Sequence, residues 1–192
     1  MRRAAFLDRD GIINRKAREG EYVTRWEDME ILPGVAEAIA LLNQAGFCVI
    51  VVSNQRCVAR ELITTGELDA LHQRMCQALV SAGAKIDAIY YCPHENRPAC
   101  RCRKPQPGLL LDAARAYNID LAASWMIGDS KADMEAGRSA GCKTALMAGS
   151  DESSKPEPDM ILVSLLDGVQ QILRREEVLA DKHSYSKHRV HI

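Results

Sequence analysis

A chain of 192 residues with 25 Lys and Arg against 26 Asp and Glu has a formal net charge of −1. It can bury one substantial core, and it lacks the basic field that draws nucleic acid or an anionic membrane. The longest apolar run, residues 47–52, is far too short to cross a bilayer, and Asp8-Arg9-Asp10 breaks the apolar stretch behind Met1-Arg2-Arg3 too early for a signal peptide.

Seven cysteines are an odd number, and a chain of this size does not need disulfide staples. The expectation is a cytoplasmic, unprocessed monomer with one domain over residues 1–179. A basic, His-rich tail over 180–192 is expected to be disordered, with His183, His188 and His191 solvated.

In chain order, the first apolar run predicts a strand over 4–7 that leads straight into Asp8-Arg9-Asp10-Gly11. Pro33 opens a helix over 33–44 that Gly46 closes, and a β-rich run over 48–53 ends on Ser53. A helix over 66–82 precedes a strand over 88–92 that ends on Cys92. A helix over 107–117, opened by Pro107, precedes a strand over 125–127 and then Gly128-Asp129. A helix over 131–140 and a strand over 144–147 follow. The polar, Pro-containing stretch 149–159 reads as a surface loop before a strand over 160–163 and a helix over 164–174.

Strands alternating with helices predict an α/β fold, a Rossmann-like parallel sheet with helices on both faces. Ligands of such sheets bind beyond the carboxyl ends of the strands. The residues to read are therefore Asp8, Ser53, Cys92 and Asp129.

Asp8 and Asp10 lie two apart at a strand end, so their carboxylates share a side. Their repulsion calls for a divalent cation or a retained proton. Asp8 can attack phosphorus and Asp10 can protonate a leaving oxygen. Gly128-Asp129-Ser130-Lys131-Ala132-Asp133 brings two more carboxylates to the same sheet edge, where one can complete a Mg²⁺ site with phosphate and water. Ser53 offers a hydroxyl to a phosphate oxygen, and Lys104 offers a compact positive charge.

Cys92, His94, Cys100 and Cys102 supply three thiolates and an imidazole within eleven residues, the donor set of a closed, structural Zn²⁺ site. Cys48, Cys57, Cys76 and Cys142 are scattered and read as small apolar residues.

The ordered set Asp8-x-Asp10-Gly11, Ser53-Asn54, Lys104-Pro105 and Gly128-Asp129-x-x-x-Asp133 resembles the four motifs of the haloacid dehalogenase superfamily of phosphotransferases, over roughly residues 4–175. The resemblance implies that Asp8 is the nucleophile and Asp10 the general acid, then the base. Ser53 and Lys104 would stabilise the phosphoryl group. Asp8, the backbone carbonyl of Asp10 and Asp129 would hold Mg²⁺, with Asp133 supporting them.

Within the superfamily, a zinc loop directly before Arg103-Lys104-Pro105 and the lack of room for a cap domain look like the heptose bisphosphate 7-phosphatase group. A related group acts on histidinol phosphate. A small phosphorylated substrate would then be selected by loops, and the resemblance assigns it to Glu19, Gly20, Tyr22, Asn54, Gln55, Arg56 and Arg103. The segment Asn54-Gln55-Arg56-Cys57-Val58-Ala59-Arg60-Glu61 departs from that group's pattern, which commonly has small residues and glycines near Arg56, Cys57 and Glu61. The contrasting reading is a non-catalytic zinc module that binds a partner, which would have no need of Asp8 and Asp10 together.

Overall fold

The computed structural model describes residues 1–97, 100–149 and 157–187. Six strands form one parallel sheet: β1 (Ala4–Leu7), β2 (Cys48–Asn54), β3 (Ala88–Cys92), β4 (Trp125–Gly128), β5 (Lys143–Met147) and β6 (Met160–Leu162), in the order β3-β2-β1-β4-β5-β6. The chain builds outward from β1 through β2 to β3, then returns to β1's other edge for β4, β5 and β6. The crevice beyond β1 and β4 is thus the reversal point where open α/β sheets bind ligands.

Side chains along each strand alternate between two apolar cores. Ala5 and Leu7 join one, with α1 (Val35–Gln44), α2 (Thr65–Ser81) and the start of α5 (Leu165–Lys187); Ala4 and Phe6 join the other, with α3 (Gly108–Tyr117) and α4 (Lys131–Ala140). The central strands β1, β2 and β4 are buried on both faces, which is why they read as continuous apolar runs. The expected fold class is the one observed, and no inserted helical domain interrupts the connections among the described residues.

Local chemistry sets the helix ends. Thr64 and Glu67 close a capping box at the start of α2, and Ser130 and Asp133 close another at the start of α4. Asn118 and Gly141, both left-handed, cap α3 and α4.

The last helix corrects the sequence reading. It was expected to end at Arg174 but continues to Lys187. Residues 175–187 contain no Gly or Pro to stop it. Arg3 fixes its middle by an ion pair with Glu176, while donating to the Ala45 carbonyl at 2.7 Å and lying over the Phe47 ring. His188 and His191 lie outside the described residues, as do 98–99 in the cysteine loop and 150–156 in the expected surface loop.

Candidate active site

Three strand ends and the loops behind them converge on a cleft of about 530 Å³. β1 delivers Asp8, β2 delivers Ser53 and Asn54, β4 delivers Asp129, and the turn before α3 delivers Lys104. The glycines of the motifs are there because the backbone passes too close for a side chain. A Cβ on Gly11 would stand 2.4 Å from Oδ2 of Asp129, and Gly11 has φ +92°.

Lys104 is 3% exposed, and its Nζ lies 3.0 Å from Asp8 Oδ1, 2.5 Å from Asp133 Oδ1 and 2.7 Å from the Val52 carbonyl. Burial works against its charge, but Asp133 and Asp8 win and raise its pKa, so it remains an ammonium. Asp8 is driven the other way. Burial raises it to about 6, with Asp133 and Asp10 adding to the push and Lys104 opposing it.

The Asp10 carboxylate is saturated with donors. Arg9 Nη2 reaches both of its oxygens at 2.9 Å, Asn14 Nδ2 donates to Oδ1 at 2.9 Å, and Gln55 Nε2 donates to Oδ2 at 2.9 Å. Burial alone would raise its pKa; Arg9, Asn14 and Gln55 together hold it below the usual carboxylate value.

The carboxylates of Asp8, Asp129 and Asp133 lie within 4.8 Å of one another, close enough to serve one cation. Their chemistry fits Mg²⁺, a hard ion that takes oxygen ligands. Asp133 has little to give it, because Oδ2 is taken by the Ser130 N–H and hydroxyl and Oδ1 by Lys104. That leaves Asp133 in the supporting place the resemblance implied. Asp10, with its carboxyl engaged, has only its backbone carbonyl to offer.

The second cluster is Cys92, His94, Cys100 and Cys102. Five of their pairwise donor distances run from 3.2 to 3.5 Å. A tetrahedral ion with Zn–S near 2.3 Å has edges of about 3.8 Å, and a disulfide would bring sulfurs to about 2.05 Å, so the spacing is that of a group that could hold a metal ion rather than of a disulfide. Burial pushes Cys100 up, but hydrogen bonds with Cys102 and Cys92 outweigh it and bring its thiol down to about 7.

Of the residues assigned to substrate, Glu19, Gly20, Tyr22, Asn54, Arg56 and Arg103 line the cleft. Arg56 Nε donates to the Tyr22 hydroxyl at 2.9 Å, and Arg103 Nη1 donates to the His94 carbonyl at 3.2 Å. Asn54 also braces the phosphate side, exchanging two 3.0 Å hydrogen bonds with the Lys104 backbone.

Gln55 is a correction. It is 1% exposed and does not face substrate but lies beneath the cleft, tying Asp10 to Ser53 Oγ at 2.9 Å. In the tight turn that follows β2, strand alternation no longer tells which way a side chain points.

Four site residues escaped the sequence reading. Lys16 puts its ammonium 2.6 Å from Asp129 Oδ2, and Arg9, Asn14 and His72 sit behind Asp10. Two signals existed. Arg9 alternates with Asp8 and Asp10, and so turns its charge inward. His72 is a polar residue on the apolar stripe of Leu68, Met75 and Leu79.

The HAD-hydrolase-like family matches residues 101–168. A D-glycero-beta-D-manno-heptose-1,7-bisphosphate 7-phosphatase of Rhodopseudomonas palustris is 41% identical over 157 residues, covering 78% of this chain and 86% of that one. The protein of the same name from Escherichia coli K12 is 37% identical over 185 residues, covering 91% and 95%. Among solved structures, the D,D-heptose 1,7-bisphosphate phosphatase of Bordetella bronchiseptica, complexed with magnesium and phosphate, superposes with a TM-score of 0.83 at 36% identity over 90% of this chain and 99% of that one. With relatives this similar over nearly its whole length, the chain belongs to the haloacid dehalogenase superfamily and, within it, to the family of the heptose-1,7-bisphosphate 7-phosphatases, as a phosphoric monoester hydrolase.

Proposed function

We propose that the enzyme hydrolyses the 7-phosphate of D-glycero-D-manno-heptose 1,7-bisphosphate through an aspartyl-phosphate on Asp8. One observation carries the mechanism: a buried ammonium 3.0 Å from Asp8 stands beside a cation-sized carboxylate group, with a second, separately held carboxylate two residues on. Nucleophile, charge neutralisation and proton carrier thus share one cleft, which is what phosphoryl transfer requires.

In the first half, a carboxylate oxygen of Asp8 attacks phosphorus in line. The ester P–O bond breaks, and the departing sugar oxygen takes a proton from Asp10. In the second half, Asp10 accepts a proton from water, whose oxygen attacks phosphorus, releases inorganic phosphate and restores Asp8. Arg9, Asn14 and Gln55 hold Asp10 as an anion, the form the second half needs. A phosphate dianion beside it favours the proton uptake needed for the first half.

Lys104 and the Ser53 hydroxyl take up charge on the phosphoryl oxygens. Bound to Asp8, Asp129 and the Asp10 carbonyl, Mg²⁺ would neutralise the carboxylates and the phosphate together. Cys92, His94, Cys100 and Cys102 would hold Zn²⁺, and with four protein ligands the ion would serve the shape of the loop rather than the chemistry.

The cleft is open and lined on its rim by Arg18, Arg56 and Arg103. A terminal phosphate can enter to Asp8 while the far phosphate meets guanidinium groups, which suit it by charge and fork geometry. The same reading takes the enzyme as a cytoplasmic monomer.

Phosphate release measured across heptose 1,7-bisphosphate, other sugar phosphates and histidinol phosphate tests the substrate; the bisphosphate is expected to have the highest kcat/KM. A monophosphate that surpasses it would overturn the assignment. Asp8→Asn is expected to abolish turnover with the fold intact, and substantial residual turnover in a folded D8N protein would remove Asp8 as the nucleophile.

A further inference from the structure

Behind Asp10 lies a chain of buried polar contacts that the reaction as written follows only as far as Arg9. Arg9 is 1% exposed. Its Nη2 and Nε grip Asp10, at 2.9 Å to both oxygens and at 3.3 Å to Oδ1, and its Nη1 faces Nε2 of His72 at 3.2 Å. A guanidinium stays charged and only donates. Nε2 of His72 must therefore accept, which makes His72 a neutral imidazole with its proton on Nδ1.

His72 is 4% exposed, on the stripe of α2 that otherwise carries Leu68, Met75 and Leu79. Its ring lies 5.4 Å from that of Tyr91, whose hydroxyl donates to Asp69 at 2.8 Å. Burial and ring contact leave the imidazole little freedom, so the direction of its Nε2 is set by the fold.

An apolar side chain would fill this position at lower desolvation cost, yet it would leave Nη1 of a buried cation without an acceptor. Another acceptor lies nearby: the Val23 carbonyl, already 3.4 Å from Nη2. A guanidinium released by His72 would rotate toward it and carry the Asp10 carboxylate along. We propose that His72 is a positioning residue, which by aiming Arg9 holds the Asp10 carboxylate where it can exchange a proton with the leaving-group oxygen. This rests on the acid–base reading of Asp10 given above.

The test uses leaving groups. kcat/KM reports the steps up to departure of the alcohol, and p-nitrophenolate leaves without a proton whereas an alkoxide does not. In His72→Met, kcat/KM is expected to fall about tenfold or more for the best alkyl phosphate of the substrate screen and less than about twofold for p-nitrophenyl phosphate. His72→Gln, whose side-chain carbonyl can accept from Nη1, is expected to recover the alkyl phosphate to within about threefold of wild type. Equal losses on both substrates, no loss in H72M, or no recovery in H72Q would overturn the proposal.

Asp10→Asn, run in parallel, separates the two readings. If D10N discriminates between the leaving groups and H72M does not, the positioning role alone falls; if neither discriminates, the acid role of Asp10 falls and the role of His72 with it. Nitrogen-15 NMR of the wild-type imidazole needs no variant, so it decides even if H72M does not fold. The Nδ1–H tautomer is expected at neutral pH, and an Nε2–H or doubly protonated ring would refute the proposal.

Discussion

Lys16 and Asp129 show how a single side chain can set the terms on which the proposed Mg²⁺ would enter. The Lys16 ammonium is the hydrogen-bond partner of Asp129 among the described residues, at 2.6 Å, on a side chain that is 60% exposed. Burial raises the pKa of Asp129, and Lys16 offsets part of that cost. A divalent ion needs the same oxygen and is repelled by the same ammonium, so binding it means displacing Lys16. An ion pair this exposed contributes no more than about 1 kcal/mol, which corresponds to roughly fivefold in a binding constant. Lys16→Met is therefore expected to tighten Mg²⁺ binding to the free enzyme by about fivefold, measured by calorimetry without substrate. Weaker binding in K16M would mean that Lys16 supports the ion rather than competing with it.

The turn from β2 into α2 carries the segment read above as a departure from the heptose group's pattern, and its backbone gives a physical reason for a glycine there. Glu61 has φ +57°, the left-handed region where a Cβ is strained and glycine is at home. Hydrogen bonds from the Glu61 and Leu62 amides to the Val58 and Cys57 carbonyls, both 3.0 Å, hold the turn in place. Releasing the Cβ strain is worth about 1–2 kcal/mol, less about 0.4–1 kcal/mol for the greater freedom of glycine in the unfolded chain. Glu61→Gly is expected to be more stable than Glu61→Ala by roughly 0.5–1 kcal/mol in denaturant melts, the reverse of their order within a helix. The opposite order would show that the turn relaxes out of the left-handed region once Glu61 is gone.

What was legible beforehand divides along the same elements. Asp8, Ser53 and Asp129 were readable because each follows an apolar run, and parallel strands bring their carboxyl ends to one edge. Lys104 and the four cysteine-loop donors were readable from residue type and spacing. Gln55 was misplaced and Lys16 missed because both stand in irregular chain, where no period fixes a direction. His72 was visible only as a blemish on an apolar stripe, and its meaning depended on Arg9, which is 63 residues away in sequence. The continuation of α5 past Arg174 was hidden because no Gly or Pro marks its course there.

At the scale of the whole molecule, the cysteine loop is a clamp across the mouth of the sheet. Cys92 ends β3, and its carbonyl accepts from the Gln55 amide at 2.8 Å, while the Pro93 carbonyl accepts from Ala59 at 3.1 Å. Glu95 draws in Arg60 at 2.9 Å and Arg56 at 3.8 Å, and His94 holds Arg103. Between Cys100 and Cys102 the Arg101 carbonyl accepts from Gly108 at the start of α3, where a Cβ would stand 2.1 Å from that oxygen. Arg56 and Arg103, proposed above to meet the far phosphate, thus take their positions from this loop, whereas Asp8 and Lys104 are held by β1, Val52 and Asp133.

If Zn²⁺ closes the loop, about one zinc should copurify with each chain. Cys100→Ser should then cost about 3 kcal/mol or more, equivalent to a melting temperature lower by roughly 10 °C. Below that melting temperature, KM for the bisphosphate should rise several-fold while kcat for p-nitrophenyl phosphate stays within about threefold of wild type. Metal analysis, thermal melts and the two kinetic constants check this together. A zinc-free wild type of full stability would remove the ion from the fold. A C100S protein that loses both constants equally would show that the loop also holds Lys104, by way of the Cys92–Gln55 backbone hydrogen bond and the Asn54 side chain, and that the clamp reaches the reacting phosphate.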